Sequence, residues 1–91
     1  MKTFELIVSG RVQGVGYRNY VQQNAKALKI NGTVRNLSNG NVKVIAQTND
    51  DLIQKLVQHI KVPQHHFMKI DNISIKEIPL TKDYDSFTVV Y

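Results

Sequence analysis

Between a short apolar alternation and an amphipathic stretch the chain reads Gly10-Arg11-Val12-Gln13-Gly14-Val15-Gly16-Tyr17-Arg18, three glycines followed closely by a guanidinium. A glycine-rich turn between a strand and a helix gathers backbone N–H groups, with the positive end of the helix dipole just behind them. An arginine in the first helical turn adds paired donors in one plane, which match two oxygens of a phosphoryl group. Loop and Arg18 together make a coherent phosphate cradle. It lacks the Gly-Lys-Ser/Thr ending of the nucleotide P-loop, and its glycine spacing does not fit the dinucleotide fingerprint. On the residues alone, the same stretch also reads as a tight strand-to-helix turn with an exposed arginine.

Little else in the chain suggests chemistry. His59, His65 and His66 are the imidazoles, and two neighbours on a strand would point to opposite faces. No carboxylate stands at ligand spacing and cysteine is absent, so no metal and no cofactor are expected; a solvated His65-His66 pair at a helix–strand junction is the expected account. Asp50-Asp51 reads as charge at a helix N-terminus, not as an acid/base pair. No Ser/His/Asp arrangement is legible.

The elements that must position the cradle follow from periodicity. Thr3 to Ser9 alternates Phe4, Leu6 and Val8 against polar residues, a half-buried strand that runs into the loop from Gly10 to Gly16. Tyr17, Tyr20, Val21, Ala25 and Leu28 then fall at helical spacing, and Asn31-Gly32 is expected to close that helix with a left-handed glycine. Thr33 to Leu37 reads as a strand, Ser38-Asn39-Gly40-Asn41 as a tight hairpin turn, and Val42, Val44 and Ala46 as the return strand. Asn49 or Asp50 caps a second helix with Leu52, Ile53, Leu56, Val57 and Ile60 along one stripe, ended by Val62-Pro63. Ile73 and Ile75 mark a fourth strand that Pro79 terminates. Leu80 to Ser86 is a polar loop, and Phe87, Val89 and Tyr91 alternate in a last strand. The order predicts an α+β, ferredoxin-like (split β-α-β) sandwich, βαββαβ with an appended C-terminal strand and two helices on one face of a mostly antiparallel sheet.

Composition is consistent with that reading. The 91 residues suffice for one domain, 1–91, and are too few for two. Hydrophobic residues at 42% and charged residues at 21% give an ordinary globular mix, which excludes a disordered tail. The absence of cysteine excludes a disulfide scaffold and thiol chemistry, and favours a reducing, cytoplasmic setting. No stretch approaches the roughly 18 apolar residues of a membrane span, and the N-terminus does not read as a signal peptide. Twelve Lys and Arg against seven Asp and Glu leave +5, which suits an anionic partner as well as plain solubility.

The run Gly10 to Arg18 resembles the signature of the acylphosphatases. Asn31-Gly32-Thr33-Val34-Arg35-Asn36, with Asn39-Gly40-Asn41-Val42 after it, is similar to that family's second motif, and the ending Phe87-Thr88-Val89-Val90-Tyr91 also fits. The resemblance covers essentially the whole chain. It implies that Gly10, Arg11, Val12, Gln13, Gly14, Val15 and Gly16 bind phosphate through backbone amides and that Arg18 grips it. It implies that Asn36 orients the attacking water; on residue type alone Asn36 ranks no higher than Asn19 or Asn24. The implied reaction is hydrolysis of a small acyl phosphate to a carboxylate and inorganic phosphate, without metal or phospho-enzyme; separately, a monomer is expected. The motifs specify the phosphoryl end and leave the acyl group open. Asn36 is expected to face the loop if its strand lies beside the first. Thr33, Thr48 and Val62-Pro63-Gln64 depart from the family's common pattern, and none touches the cradle.

Two other readings share the fold. RNA-binding domains of this architecture stack bases on aromatics exposed on central strands, whereas here the first strand offers only Phe4 and Val42 to Gln47 offers none, so no nucleic-acid or membrane partner is expected. Acylphosphatase-like domains also occur inside larger carbamoyl-transfer maturation proteins, which makes an accessory role the third reading.

Overall fold

The N-terminal alternation forms strand β1 (Lys2–Arg11), with Phe4, Leu6 and Val8 buried. The computed structural model describes residues 1–80 and 82–91. After β1 come α1 (Tyr17–Ala27), β2 (Asn31–Asn36), β3 (Val42–Thr48), α2 (Asp50–Ile60), β4 (Lys69–Ile78) and β5 (Phe87–Val90). The sheet order is β4-β1-β3-β2-β5, antiparallel throughout except for the parallel pair β2 and β5. This is the expected α+β ferredoxin-like arrangement with an added C-terminal strand. Thr81, within the expected polar connection from Leu80 to Ser86, lies outside the described residues.

One face of the sheet carries the core. Phe4, Leu6 and Val8 of β1, Val34 of β2, Val42, Val44 and Ala46 of β3 and Phe87 of β5 share it, and Tyr17, Val21 and Ala25 of α1 and Ile53, Leu56 and Ile60 of α2 pack onto it. Both helices thus bury a stripe at three- and four-residue spacing. Helix α2 begins as its sequence predicts, with Asn49 Oδ1 accepting the Leu52 N–H at 2.8 Å and Asp50 and Asp51 in the first turn. On the opposite face Glu5 pairs with Lys43 at 3.5 Å and Lys76 at 3.6 Å.

Three local expectations are corrected. Helix α1 is not closed by Gly32. The Ile30 N–H donates to Ala25 O at 2.9 Å and the Lys29 N–H to Lys26 O at 3.0 Å, a Schellman motif whose left-handed position is Lys29 (φ 58°). Gly32 lies inside β2, where a Cβ would run into the Ile45 carbonyl of β3. The β2–β3 hairpin is wider than a two-residue Asn-Gly turn: Leu37 N–H donates to Asn41 O at 2.8 Å across Ser38, Asn39 and left-handed Gly40 (φ 93°). Gly10 and Arg11 belong to β1, paired with Ile70 and Lys69 of β4 after a register shift at Ser9/Gly10, so the loop proper is residues 12–16.

Candidate active site

The connection from β1 to α1 is built to present amides. Gly14 (φ 76°) and Gly16 (φ 82°) both hold left-handed backbone, which a side chain would strain. Among the described residues, the N–H groups of Gln13, Gly14, Val15 and Gly16 donate to no backbone carbonyl. Helix α1 starts with Gly16 as its N-cap, no side-chain cap bond and no acidic residue in its first turn. The contrast with α2 is direct: α2 neutralises its own N-terminus, whereas α1 leaves its first-turn amides and dipole for an outside anion.

An open cleft of about 110 Å³ lies over this loop, lined by Val12, Gly14, Gly16, Arg18 and, from the C-terminal end of the chain, Val89 of β5 and Tyr91 just beyond it. Arg18, the second residue of α1, pairs with no carboxylate among the described residues. Its guanidinium instead lies 4.6 Å from the centre of the Tyr91 ring. That contact steadies the side chain from one face and leaves the N–H fork free. The cleft is small beside the roughly 300–1,000 Å³ that enclose a drug-sized ligand.

Asn36 does not sit on a strand next to β1. β3 intervenes, through the register Val8↔Val42 and Asn36↔Val42, so Asn36 is two strand spacings (about 10 Å) from β1. It nevertheless belongs to the same end of the sheet. By alternation it faces the helix layer with Val34, and its Oδ1 is buried without a hydrogen-bond partner among the described residues. Gln13 closes the gap: its Nε2 donates to Leu37 O and Asn41 O, each at 2.8 Å, tying the loop to the peptides flanking the hairpin just beyond Asn36. The parallel register that sets Arg35 opposite Val90 also carries Tyr91 to the level of Asn36.

Of the residues read from the sequence, Val12, Gly14, Gly16 and Arg18 meet in the cleft. Gln13 faces the hairpin, Val15 faces the α2–β4 connection, and Gly10 and Arg11 stand in the ladder below. Three contributors went unread: the Gln13 staple, the Tyr91 ring over Arg18, and His65, whose Nε2 lies 2.9 Å from Val15 O. Tyr17 fixes the start of α1 from beneath, its buried hydroxyl donating to Ile60 O at 2.8 Å, and that burial pushes its phenol well above the ordinary range.

A family model described as Acylphosphatase matches residues 4–89. The chain belongs to the acylphosphatase family. It is similar to the acylphosphatase of Ligilactobacillus salivarius (strain UCC118), 42% identical over the full length of both chains. The crystal structure of acylphosphatase from Bacillus subtilis aligns with it at a TM-score of 0.90 and 35% identity, covering all of both chains. The crystal structure of T. kodakarensis HypF aligns at a TM-score of 0.87 and 26% identity over all of this chain and 12% of that one. The same fold is therefore also built into a much longer protein. Acylphosphatase membership makes this chain a hydrolase with acylphosphatase activity, and both motif runs fall inside the matched range. No helix among the described residues is long and apolar enough to cross a membrane.

Proposed function

We propose that the chain hydrolyses the carboxyl–phosphate bond of small acyl phosphates, with residues 12–16 and Arg18 holding the phosphoryl group and Asn36 orienting the water. The observation that carries this reading is the uncapped start of α1, whose amides stand beside an arginine without a carboxylate partner. The loop N–H groups and the guanidinium meet the phosphoryl oxygens and stabilise charge that develops on them. The Asn36 Oδ1 accepts a hydrogen bond from the water and sets it in line. Water oxygen bonds to phosphorus as the bond from phosphorus to the acyl oxygen breaks. The carboxylate leaves without needing a proton, and both water protons stay with the phosphate.

No protein nucleophile and no metal ion is required by this scheme. Among the described residues no group of three or more His, Cys, Asp and Glu stands together as ligands. A cleft this small grips the phosphoryl end and leaves the acyl part to solvent. One core cluster runs through both helices and the sheet, which supports residues 1–91 acting as one catalytic domain. The test is phosphate release from acetyl, carbamoyl and benzoyl phosphates, with p-nitrophenyl phosphate as the ester control. Turnover of the acyl phosphates in excess EDTA, with the ester at least a hundredfold slower, is expected. Equal rates on the ester, or loss in EDTA restored by Mg²⁺ or Zn²⁺, would contradict the scheme.

A further inference from the structure

We propose that His65 is a positioning residue for the phosphate loop: by donating to the Val15 carbonyl, it orients the Val15–Gly16 peptide so that the Gly16 N–H is presented to the phosphoryl group. The inference rests on the reading of residues 12–16 and Arg18 as the phosphate site. His65 belongs to the connection between α2 and β4, fifty residues from Val15, and its Nε2 lies 2.9 Å from the Val15 oxygen. Its other nitrogen, Nδ1, accepts the Phe67 N–H at 3.2 Å. A neutral imidazole that accepts at Nδ1 carries its proton on Nε2, so a single tautomer satisfies both contacts.

The consequence follows from peptide geometry. In a trans peptide the carbonyl and the following N–H point to opposite sides of the chain. Drawing the Val15 oxygen toward His65 therefore sends the Gly16 N–H the other way. Gly16 lines the cleft and Val15 does not, which is the arrangement this orientation produces. Glycines at 14 and 16 give this stretch wide conformational freedom, and the imidazole removes some of it at the peptide beside the ligand. The backbone that carries the ring is itself held. The Met68 N–H donates to the His65 carbonyl at 3.1 Å, and the Met68 side chain is buried in the core.

The experiment measures the inhibition constant of inorganic phosphate, with KM and kcat for acetyl phosphate, in wild type, His65→Ala and His65→Gln, alongside each melting midpoint. Gln places an amide N–H near the Nε2 position and is the rescuing variant. His65→Ala should raise the phosphate constant and KM together by about three- to tenfold, the range expected for one hydrogen bond, with kcat within twofold. His65→Gln should return both to within about twofold of wild type. A merely structural contact would lower the midpoint without moving the phosphate constant, and that result overturns the proposal. So does a folded His65→Gln protein no better than His65→Ala. A wild-type protein that phosphate does not inhibit would overturn the cradle reading along with it, whereas wild-type inhibition unchanged in His65→Ala would fail the positioning role alone.

Discussion

Arg18 lines the cleft, and among the described residues no carboxylate pairs with it; the role proposed for it follows from that isolation. Its fork suits two phosphoryl oxygens at once, so Arg18→Ala and Arg18→Lys should each lower kcat/KM by about a hundredfold or more, lysine keeping the charge but not the paired geometry. Arg18→Lys retaining half of wild-type kcat/KM would show that charge alone is enough. In the proposed mechanism Asn36 acts elsewhere in the reaction. Its buried, unpartnered Oδ1 suits a water, so Asn36→Ala should cut kcat by about a hundredfold while the phosphate inhibition constant stays within threefold. Normal kcat with weakened phosphate binding would move Asn36 into the cradle. Arg18 was legible from its place after a glycine loop, whereas Asn36 was legible only through the family motif. Gln13 was read as part of the loop, but its side-chain tie to the hairpin and the Tyr91 ring over Arg18 were not legible, because their partners lie across the fold, at Leu37, Asn41 and Arg18.

At the scale of elements, the start of α1 is clamped to the end of α2. Tyr17 reaches Ile60 O, and the Tyr20 hydroxyl lies 3.1 Å and 2.9 Å from the carbonyls of His59 and Val62. Tyr17→Phe removes the buried donor and leaves an acceptor unpaired, a loss of about 1–2 kcal/mol. For a domain this size the melting midpoint should fall by roughly 4–15 °C, with kcat/KM changed less than threefold. A melting midpoint equal to wild type would mean that the hydroxyl contributes nothing to the clamp. Helices and strands were readable because period 3.6 and period 2 are local signals. Strand order is not local. β3 inserts between β1 and β2, so Asn36 comes to the loop's end of the sheet by register and by the hairpin tie rather than by direct strand pairing, and it is not among the residues that line the cleft. The stop of α1 at Lys29 was hidden for a related reason: Gly32, the obvious left-handed candidate, is required for close approach to β3.

For the whole molecule, a net charge of +5 and an uncapped helix start both favour anions, the first at long range and the second at contact. If the loop and Arg18 form a preorganised cradle, inorganic phosphate binds the folded chain and not the unfolded one. At a hundredfold excess over Kd, linkage adds about 2.7 kcal/mol of stability. For a domain this size that raises the melting midpoint by roughly 10–20 °C. Phosphate also stabilises proteins nonspecifically by exclusion from their surfaces, so the comparison that isolates the site is Arg18→Ala in the same phosphate series. The account predicts a saturating rise in the wild-type midpoint and only a small, unsaturating rise in Arg18→Ala. Equal shifts in the two proteins would mean that residues 12–16 are only a turn, and would contradict the phosphate site on which the mechanism rests.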